Sequence, residues 1–235
     1  MPSSKPDSPA LLVLPAEPTD RFERRARRLG ARLVAGLDEA GRGPLAGPVV
    51  AAAVVFEGRR RMPSGLNDSK KLNRAERERL YDLIVADAHV SVAVSSRERI
   101  DRMNILRASL WAMSRALAGL PCQPDHVLVD GRDLPPGLLC PGEAIVGGDS
   151  LSASIAAASI VAKVTRDRLM AAMGRTFPGY GFEQHMGYCT AGHLDALERH
   201  GPCPHHRRSF APVRIALGIE KDDGPALLPG LEVPD

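Results

Sequence analysis

The chain has 235 residues, of which 44% are hydrophobic and 25% charged, the balance of a globular protein with a substantial core. A formal net charge of +3 does not by itself announce a nucleic-acid binder. The four cysteines, Cys122, Cys140, Cys189 and Cys203, form no C-x-x-C pair, and the longest apolar run, Leu45 to Phe56, is far below the ~20 residues that span a bilayer, which argues against a disulfide scaffold and a membrane protein.

Residues Met1 to about Thr19 are rich in Pro, Ser and acids, lack the basic start and apolar stretch of a secretory signal, and are expected to be disordered. Cytoplasmic, reduced thiols follow from that reading. Arg21, Arg24, Arg25, Arg27 and Arg28 then cluster on a short exposed helix; solvated surface charge is the plain reading, and a supplementary phosphate contact is the alternative.

A strand over about Arg32–Asp38 and another over Pro48–Phe56 are joined by a glycine-rich turn. The second strand is apolar on both sides, as a central strand covered on both faces should be. The first ends in adjacent carboxylates, Asp38 and Glu39. Neighbours in a regular strand point to opposite faces, so the two can share a site only if the chain bends there. Arg59, Arg60 and Arg61 mark a loop, and a polar stretch leads to Lys70 and Lys71. Asn73 with Glu76 predicts a capped helix containing Leu80, Leu83 and Ile84. Val90–Val94 reads as a strand, and Leu106, Leu110, Met113 and Leu117 predict an amphipathic helix over Asn104–Leu117.

His126–Asp130 is a short apolar strand ending in a carboxylate before Gly131. Asp-Gly can simply open a turn; a carboxylate at a strand's C-terminal edge is also where α/β sheets place chemistry. Ala144–Val146 ends another strand; Gly147 and Gly148 turn the chain, and Asp149 precedes a helix from about Ser152 to Met173, where it could be a cap or a ligand. His185, His193, His200, His205 and His206 crowd the last section with Cys189 and Cys203, but their spacing fits no paired zinc-ligand pattern.

Asp38, Glu39, Asp130 and Asp149 thus stand together at strand ends and a helix start. Clustered carboxylates repel unless a counter-ion is present, and all-oxygen donors suit Mg²⁺ or Mn²⁺. A pair of such ions can clamp the attacking and leaving oxygens of a phosphodiester. Gly41, Arg42 and Gly43 fit close approach to a sugar–phosphate backbone, and Lys70, Lys71, Arg207 and Arg208 are candidate phosphate contacts. A nucleotide-binding loop fits less well. No G-K-[ST] follows, and Pro44 interrupts a dinucleotide fingerprint. A non-catalytic nucleic-acid binding module would not need the four acids.

The stretch Gly36-Leu37-Asp38-Glu39-Ala40-Gly41-Arg42-Gly43-Pro44-Leu45-Ala46-Gly47-Pro48-Val49 resembles the signature of the ribonuclease HII family. The resemblance continues through Leu66–Leu72, Asn104–Leu106, Val129–Gly131, Gly148–Ser150, Ile155–Asp167, Gly187-Tyr188 with Thr190 and His193, and His206–Phe210. It implies a ribonuclease H-like α/β fold, a mixed five-stranded sheet flanked by helices with a helical C-terminal extension. It implies endonucleolytic cleavage of RNA in RNA–DNA hybrids and 5′ of single ribonucleotides in duplex DNA, leaving 3′-hydroxyl and 5′-phosphate ends. By position, Asp38, Glu39, Asp130 and Asp149 take the acidic metal-site roles for Mn²⁺ or Mg²⁺, with two ions. Gly41, Arg42 and Gly43 take the ribonucleotide-sensing turn, and Tyr188 the aromatic that packs on the junction sugar. Gly147 and Met186 depart from the family, standing where lysines are common. The expected organisation is a flexible segment with a short basic helix over 1–30, a catalytic domain over 31–218 and a flexible tail over 219–235. The protein is expected to act as a cytoplasmic monomer with no membrane partner.

Overall fold

The computed structural model describes residues 17–57 and 62–219. The expected disorder at the N-terminus up to residue 16, the loop at Arg59–Arg61 and the tail beyond Ile219 lie outside the described residues. Five strands, β1 (Val34–Ala40), β2 (Val49–Val55), β3 (His89–Ser95), β4 (His126–Asp130) and β5 (Gly142–Ile145), form one mixed sheet in the order β3-β2-β1-β4-β5. Strands β1 and β4 run parallel with Leu37 opposite Val129, and β4 and β5 run parallel with Asp130 opposite Ile145. The described helices are α1 (Arg21–Arg28), α2 (Arg74–Asp87), α3 (Arg97–Met103), α4 (Ile105–Ala118), α5 (Ala153–Thr176), α6 (Phe182–His185), α7 (Ala191–His200) and α8 (Ala211–Ala216).

The chain divides into two compact units whose segments alternate: Met1–Ala40, Ala51–Ala93 and Leu110–Val164 make the first, and Gly41–Val50, Val94–Ser109 and Thr165–Asp235 the second. In the first unit the period of the strands sorts the core into two layers. Ala52 and Val54 pack with Leu80 and Ile84 of α2 and with Ala156, Ala157 and Ile160 of α5. Ala51, Ala53 and Val55 turn the other way, onto Ala112, Met113 and Ala116 of α4 with Leu37 and Val129. Strand β2 is buried along its whole length, as its two-sided apolar pattern requires. Helix α5 lies close to β1 because Gly36 has no side chain: a Cβ there would stand 2.2 Å from the backbone carbon of Ser154.

Asn73 caps α2 by accepting the Glu76 amide at 2.9 Å, as the Asn73–Glu76 spacing predicts. The region before α4 holds more than the sequence pattern suggests. Helix α3 precedes it, and Asn104, at φ 67°, breaks the two apart while its side chain accepts the Arg107 amide at 3.0 Å. Helix α5 is also longer than its apolar spacing indicates, running on to Thr176.

Among the described residues, the second unit has three small cores. Ala46, Met170, Tyr180, Phe182 and Ala196 form one; Leu45, Leu197 and Val213 another; Val49, Ile100 and Ala108 the third. None of its helices is long and apolar enough to cross a membrane, nor is any other among the described residues.

Candidate active site

Strand geometry brings two of the expected acids together. Val34 and Leu128 face the α5 side of the sheet, so side chains two residues further on, at Gly36 and Asp38 in β1 and at Asp130 in β4, face the same side. The register pairs Leu37 with Val129, which leaves Asp38 and Asp130 side by side at the C-terminal edge of parallel strands. Asp149 joins them from a 3-10 turn, Gly148–Ser150, that leads into α5. The Gly148 amide donates to Asp130 Oδ1 at 2.7 Å, tying that turn to β4.

Asp38 is buried. Burial first, and then the charges of Glu39, Asp130 and Asp149, push its carboxyl well above the usual carboxylate range, against a hydrogen bond from Ser159 that favours ionisation. Ser159 in turn shares a 2.9 Å hydrogen bond with the buried Ser69. Burial and the charge of Asp149 likewise raise Asp130. Lys70 Nζ stands 3.3 Å from Asp149 Oδ2 and 3.6 Å from Asp68 Oδ1. Burial alone would lower its pKa; the charges of Asp149 and Asp68 outweigh that and push it up to about 12. Lys71 Nζ reaches Ser150 Oγ at 3.5 Å. Both lysines therefore meet the Asp149 turn.

Glu39 differs from expectation. Strand β1 runs on regularly through Ala40, and the left-handed turn comes only at Gly41, at φ 98°. The expected bend between Asp38 and Glu39 is absent. Glu39 adds its charge to the surroundings of Asp38, and its amide donates to Asp38 Oδ1 at 2.7 Å. Among the described residues, no three Asp, Glu, His or Cys side chains stand as a finished ion cage. The electrostatics nonetheless place four carboxylates in one neighbourhood that disfavours negative charge. Side-chain rotation alone can close a cage from acids whose strands already stand together. An all-oxygen donor set in such a field fits a hard divalent cation.

In the second unit, the turn after β1 is organised from inside. Arg207 is fully buried and donates to the carbonyls of Gly41 (2.6 Å), Arg42 (2.9 Å), Gly47 (3.0 Å) and Pro48 (3.3 Å). Arg166 donates to Pro48 (3.0 Å), Met186 (3.0 Å) and Ala46 (3.2 Å). This corrects the expectation for Arg207: with its guanidinium committed to backbone carbonyls, it shapes the turn and does not reach a phosphate. Because a trans peptide points its N–H opposite its C=O, the carbonyls of Gly41 and Arg42 turned onto Arg207 leave the amides of Arg42 and Gly43 directed away from it. Arg42 and Gly43 are both exposed. The half-exposed Tyr188 lies by this turn, where a Cβ on Gly43 would meet its ring at 3.7 Å.

Tyr188 is held by histidines. The Cys203 amide donates to His206 Nδ1 at 2.9 Å, so His206 carries its proton on Nε2. That proton faces His193 Nε2 at 3.0 Å, leaving the His193 proton on Nδ1, which donates to the Tyr188 carbonyl at 2.8 Å. His185, stacked on His193 with centroids 4.4 Å apart, accepts the Gly187 amide at Nδ1 and donates from Nε2 to the Tyr180 carbonyl. His185, His193 and His206 thus form a scaffold that holds backbone groups in place. Met186, at φ 51°, packs into the core with Met170 and Phe182. Gly147, at φ 67°, opens onto free space. The two expected departures from the family thus take a partly buried position against a small core and a left-handed turn.

Burial and the charge of His193 hold His206 down to about 4, and burial also lowers His193. A base whose pKa is depressed by folding contributes stability that is complete above its ordinary ~6.5 and is lost as pH falls through the folded value. Thermal unfolding should therefore lose several degrees between pH 6.5 and about 4, and His206→Gln should flatten that acid limb. An unchanged limb in the variant would assign the acid sensitivity elsewhere.

The role of Arg166 and the pairing of the histidines into a relay were not read from the sequence. A signal for Arg166 exists: it falls on the buried stripe of α5 between Ala162 and Met170. None exists for the relay, whose partners meet only through tertiary packing.

Two aspartates on neighbouring parallel strands, with a third at the start of the helix packed on them, define a ribonuclease H-like α/β protein. The ribonuclease HII profile matches residues 35–213. The chain is 65% identical over 185 residues to the ribonuclease HII of Xanthobacter autotrophicus, covering 79% of this chain and 74% of that one. It is 55% identical over 227 residues to that of Rhizobium etli, covering 96% of both. The crystal structure of the ribonuclease H2 from Pyrococcus horikoshii superposes with a TM-score of 0.66 at 28% identity, over 78% of this chain and 96% of that one. The chain belongs to the ribonuclease HII family. It is a ribonuclease H, an endonuclease for the RNA of RNA–DNA hybrids.

Proposed function

We propose that the protein also cuts duplex DNA on the 5′ side of single embedded ribonucleotides, leaving 3′-hydroxyl and 5′-phosphate ends, and so serves ribonucleotide removal from DNA. The observation that carries this reading is the exposed Arg42–Gly43 turn beside the Tyr188 ring, its carbonyls drawn inward by Arg207. A 2′-hydroxyl is what distinguishes one ribonucleotide from its deoxy neighbours, and an exposed backbone turn with no Cβ at Gly43, next to a flat ring, suits close approach of a sugar. Asp38, Asp130 and Asp149, with Glu39 beside them, would hold Mn²⁺ or Mg²⁺, with room in the charge balance for two ions. Such ions when bound polarise the phosphodiester and lower the pKa of water.

The chain's own groups do the rest. Asp38 is kept from solvent so that its charge is available to a cation and to little else. Lys70 steadies Asp149 and offers positive charge next to it, and Lys71 extends that charge toward a phosphate. Gly41, Arg42 and Gly43 bind the ribonucleotide, with Arg42 supplying a cation to its phosphate.

The test is incubation of a duplex bearing one ribonucleotide with the protein and Mn²⁺ or Mg²⁺, followed by mapping of the product ends. A single nick 5′ of the ribonucleotide, with no cut in all-DNA duplex, is the expected result. Cleavage of long hybrids only would reduce the function to general hybrid hydrolysis, and binding without cutting would leave a binding module.

A further inference from the structure

Helix α1 carries one acid and five arginines, and the fold separates them. Glu23 is fully buried, where its Oε1 accepts from Ser152 Oγ (2.6 Å), the Ser154 amide (2.8 Å) and Ser154 Oγ (2.6 Å). Thr19 adds a bridge to Ser152, with Thr19 N–H to the Leu151 carbonyl and Ala153 N–H to the Thr19 carbonyl, each 3.1 Å. The apolar side of the helix, Ala26 and Phe22, is taken up by Val34, Leu128, Ile145 and Ile155. The helix is therefore bolted to the start of α5, four residues after Asp149 in the chain.

What remains outward is positive. Arg21, Arg24, Arg27 and Arg28 line an open cleft of about 540 Å³. At 100° per residue these positions fall within one third of the helix circumference. Arg24 meets Asp20 at 3.1 Å and Arg27 the Phe56 carbonyl at 3.5 Å. Arg25 lies off this arc and pairs with Glu143. Among the described residues, Arg21 and Arg28 meet no carboxylate. Like charges gathered on one face repel, and a polyanion is what relieves them.

We infer that this arginine face of α1 is a second contact surface for the sugar–phosphate backbone of the nucleic-acid duplex, held at a fixed distance from the Asp149 turn. This rests on the reading of the protein as a nuclease of duplex substrates. Arg21 to Arg28 spans roughly 10 Å at 1.5 Å per residue, and one duplex strand presents a phosphate every ~3.4 Å of axis, so about three phosphates fit the face. An anionic membrane fits less well, because surface-bound helices insert an apolar face and here that face is already inside the core.

The test uses the full chain with Arg21, Arg24 and Arg28 replaced together by Gln, substitutions that leave the Glu23 anchor intact. Affinity for a labelled RNA–DNA hybrid is measured by anisotropy in EDTA across a potassium chloride series, and cleavage is then measured with Mn²⁺. The wild-type slope of log affinity against log salt should be shallower in the variant by about 2–3, with affinity about tenfold weaker near physiological salt and kcat unchanged. A variant with the wild-type slope and affinity overturns the inference. So does wild-type binding to phosphatidylserine vesicles that the substitutions abolish while hybrid affinity stays the same. A wild-type protein that fails to bind or cut the hybrid would instead defeat the nuclease reading itself.

Discussion

Asp38→Asn is expected to lower turnover on an RNA–DNA hybrid by about a thousandfold or more, equivalent to about 4 kcal/mol of barrier, while leaving hybrid affinity near that of the wild type. The same substitution should make the metal-free protein more stable. Asp38 is raised by burial and by Glu39, Asp130 and Asp149, so the folded state resists its ionisation. In the unfolded chain it ionises near ~3.9. A group raised in this way contributes stability that is complete below the unfolded value and is lost as pH rises through the folded one. The metal-free wild type should therefore melt at progressively lower temperature from about pH 4 upward, and the Asn variant should lose less. Adding Mn²⁺ should raise the wild-type melting temperature, more at pH 8 than at pH 5, because a cation binds the ionised form. The variant should gain little. Near-normal turnover in Asp38→Asn, or an equal Mn²⁺ shift in both proteins, would remove Asp38 from the metal site.

Arg207→Met should be the most destabilising single change in the second unit. It keeps an unbranched apolar stem but strips donors from the carbonyls of Gly41, Arg42, Gly47 and Pro48. Buried acceptors left without partners cost ~1–3 kcal/mol each, so a loss of about 4 kcal/mol is expected even after the gain from no longer burying a charge. Burial, and then the charge of Arg166, press the Arg207 pKa down to about 9, which still leaves it protonated at neutral pH. Arg207→Lys should recover less than half of the loss, since a single ammonium cannot fork to several carbonyls. Urea unfolding measures both. The outcome that would restore a direct phosphate role is a variant of wild-type stability whose hybrid affinity loses salt dependence.

The contrast between these two residues shows what the sequence could and could not reveal. Asp38 and Asp130 were legible because period-two strands and strand-end carboxylates are local patterns, and parallel pairing then aligns them by register. Strand β2 was legible for the same reason, and so was the Asn73 cap. Arg207 was misread because charged residues are ordinarily at the surface, and nothing within a few residues of it names the carbonyls it serves. Those acceptors lie some 160 positions away in the chain, at Gly41, Arg42, Gly47 and Pro48. Two adjacent acids could share a pocket only through a bend between them; the strand runs on, and the turn-forming glycine lies two positions beyond Glu39. The histidines pointed to metal or nothing, and their actual arrangement, a chain of rings ending on the Tyr188 carbonyl, depends on tautomers that only packing decides.

The alternation of the two compact units along the chain has an evolutionary consequence. No single crossover point yields one unit intact on each side, because the first unit is threaded in three stretches and so is the second. Neither can be acquired, duplicated or discarded as a cassette. Recombination of the kind that assembles modular enzymes would have to move both units together.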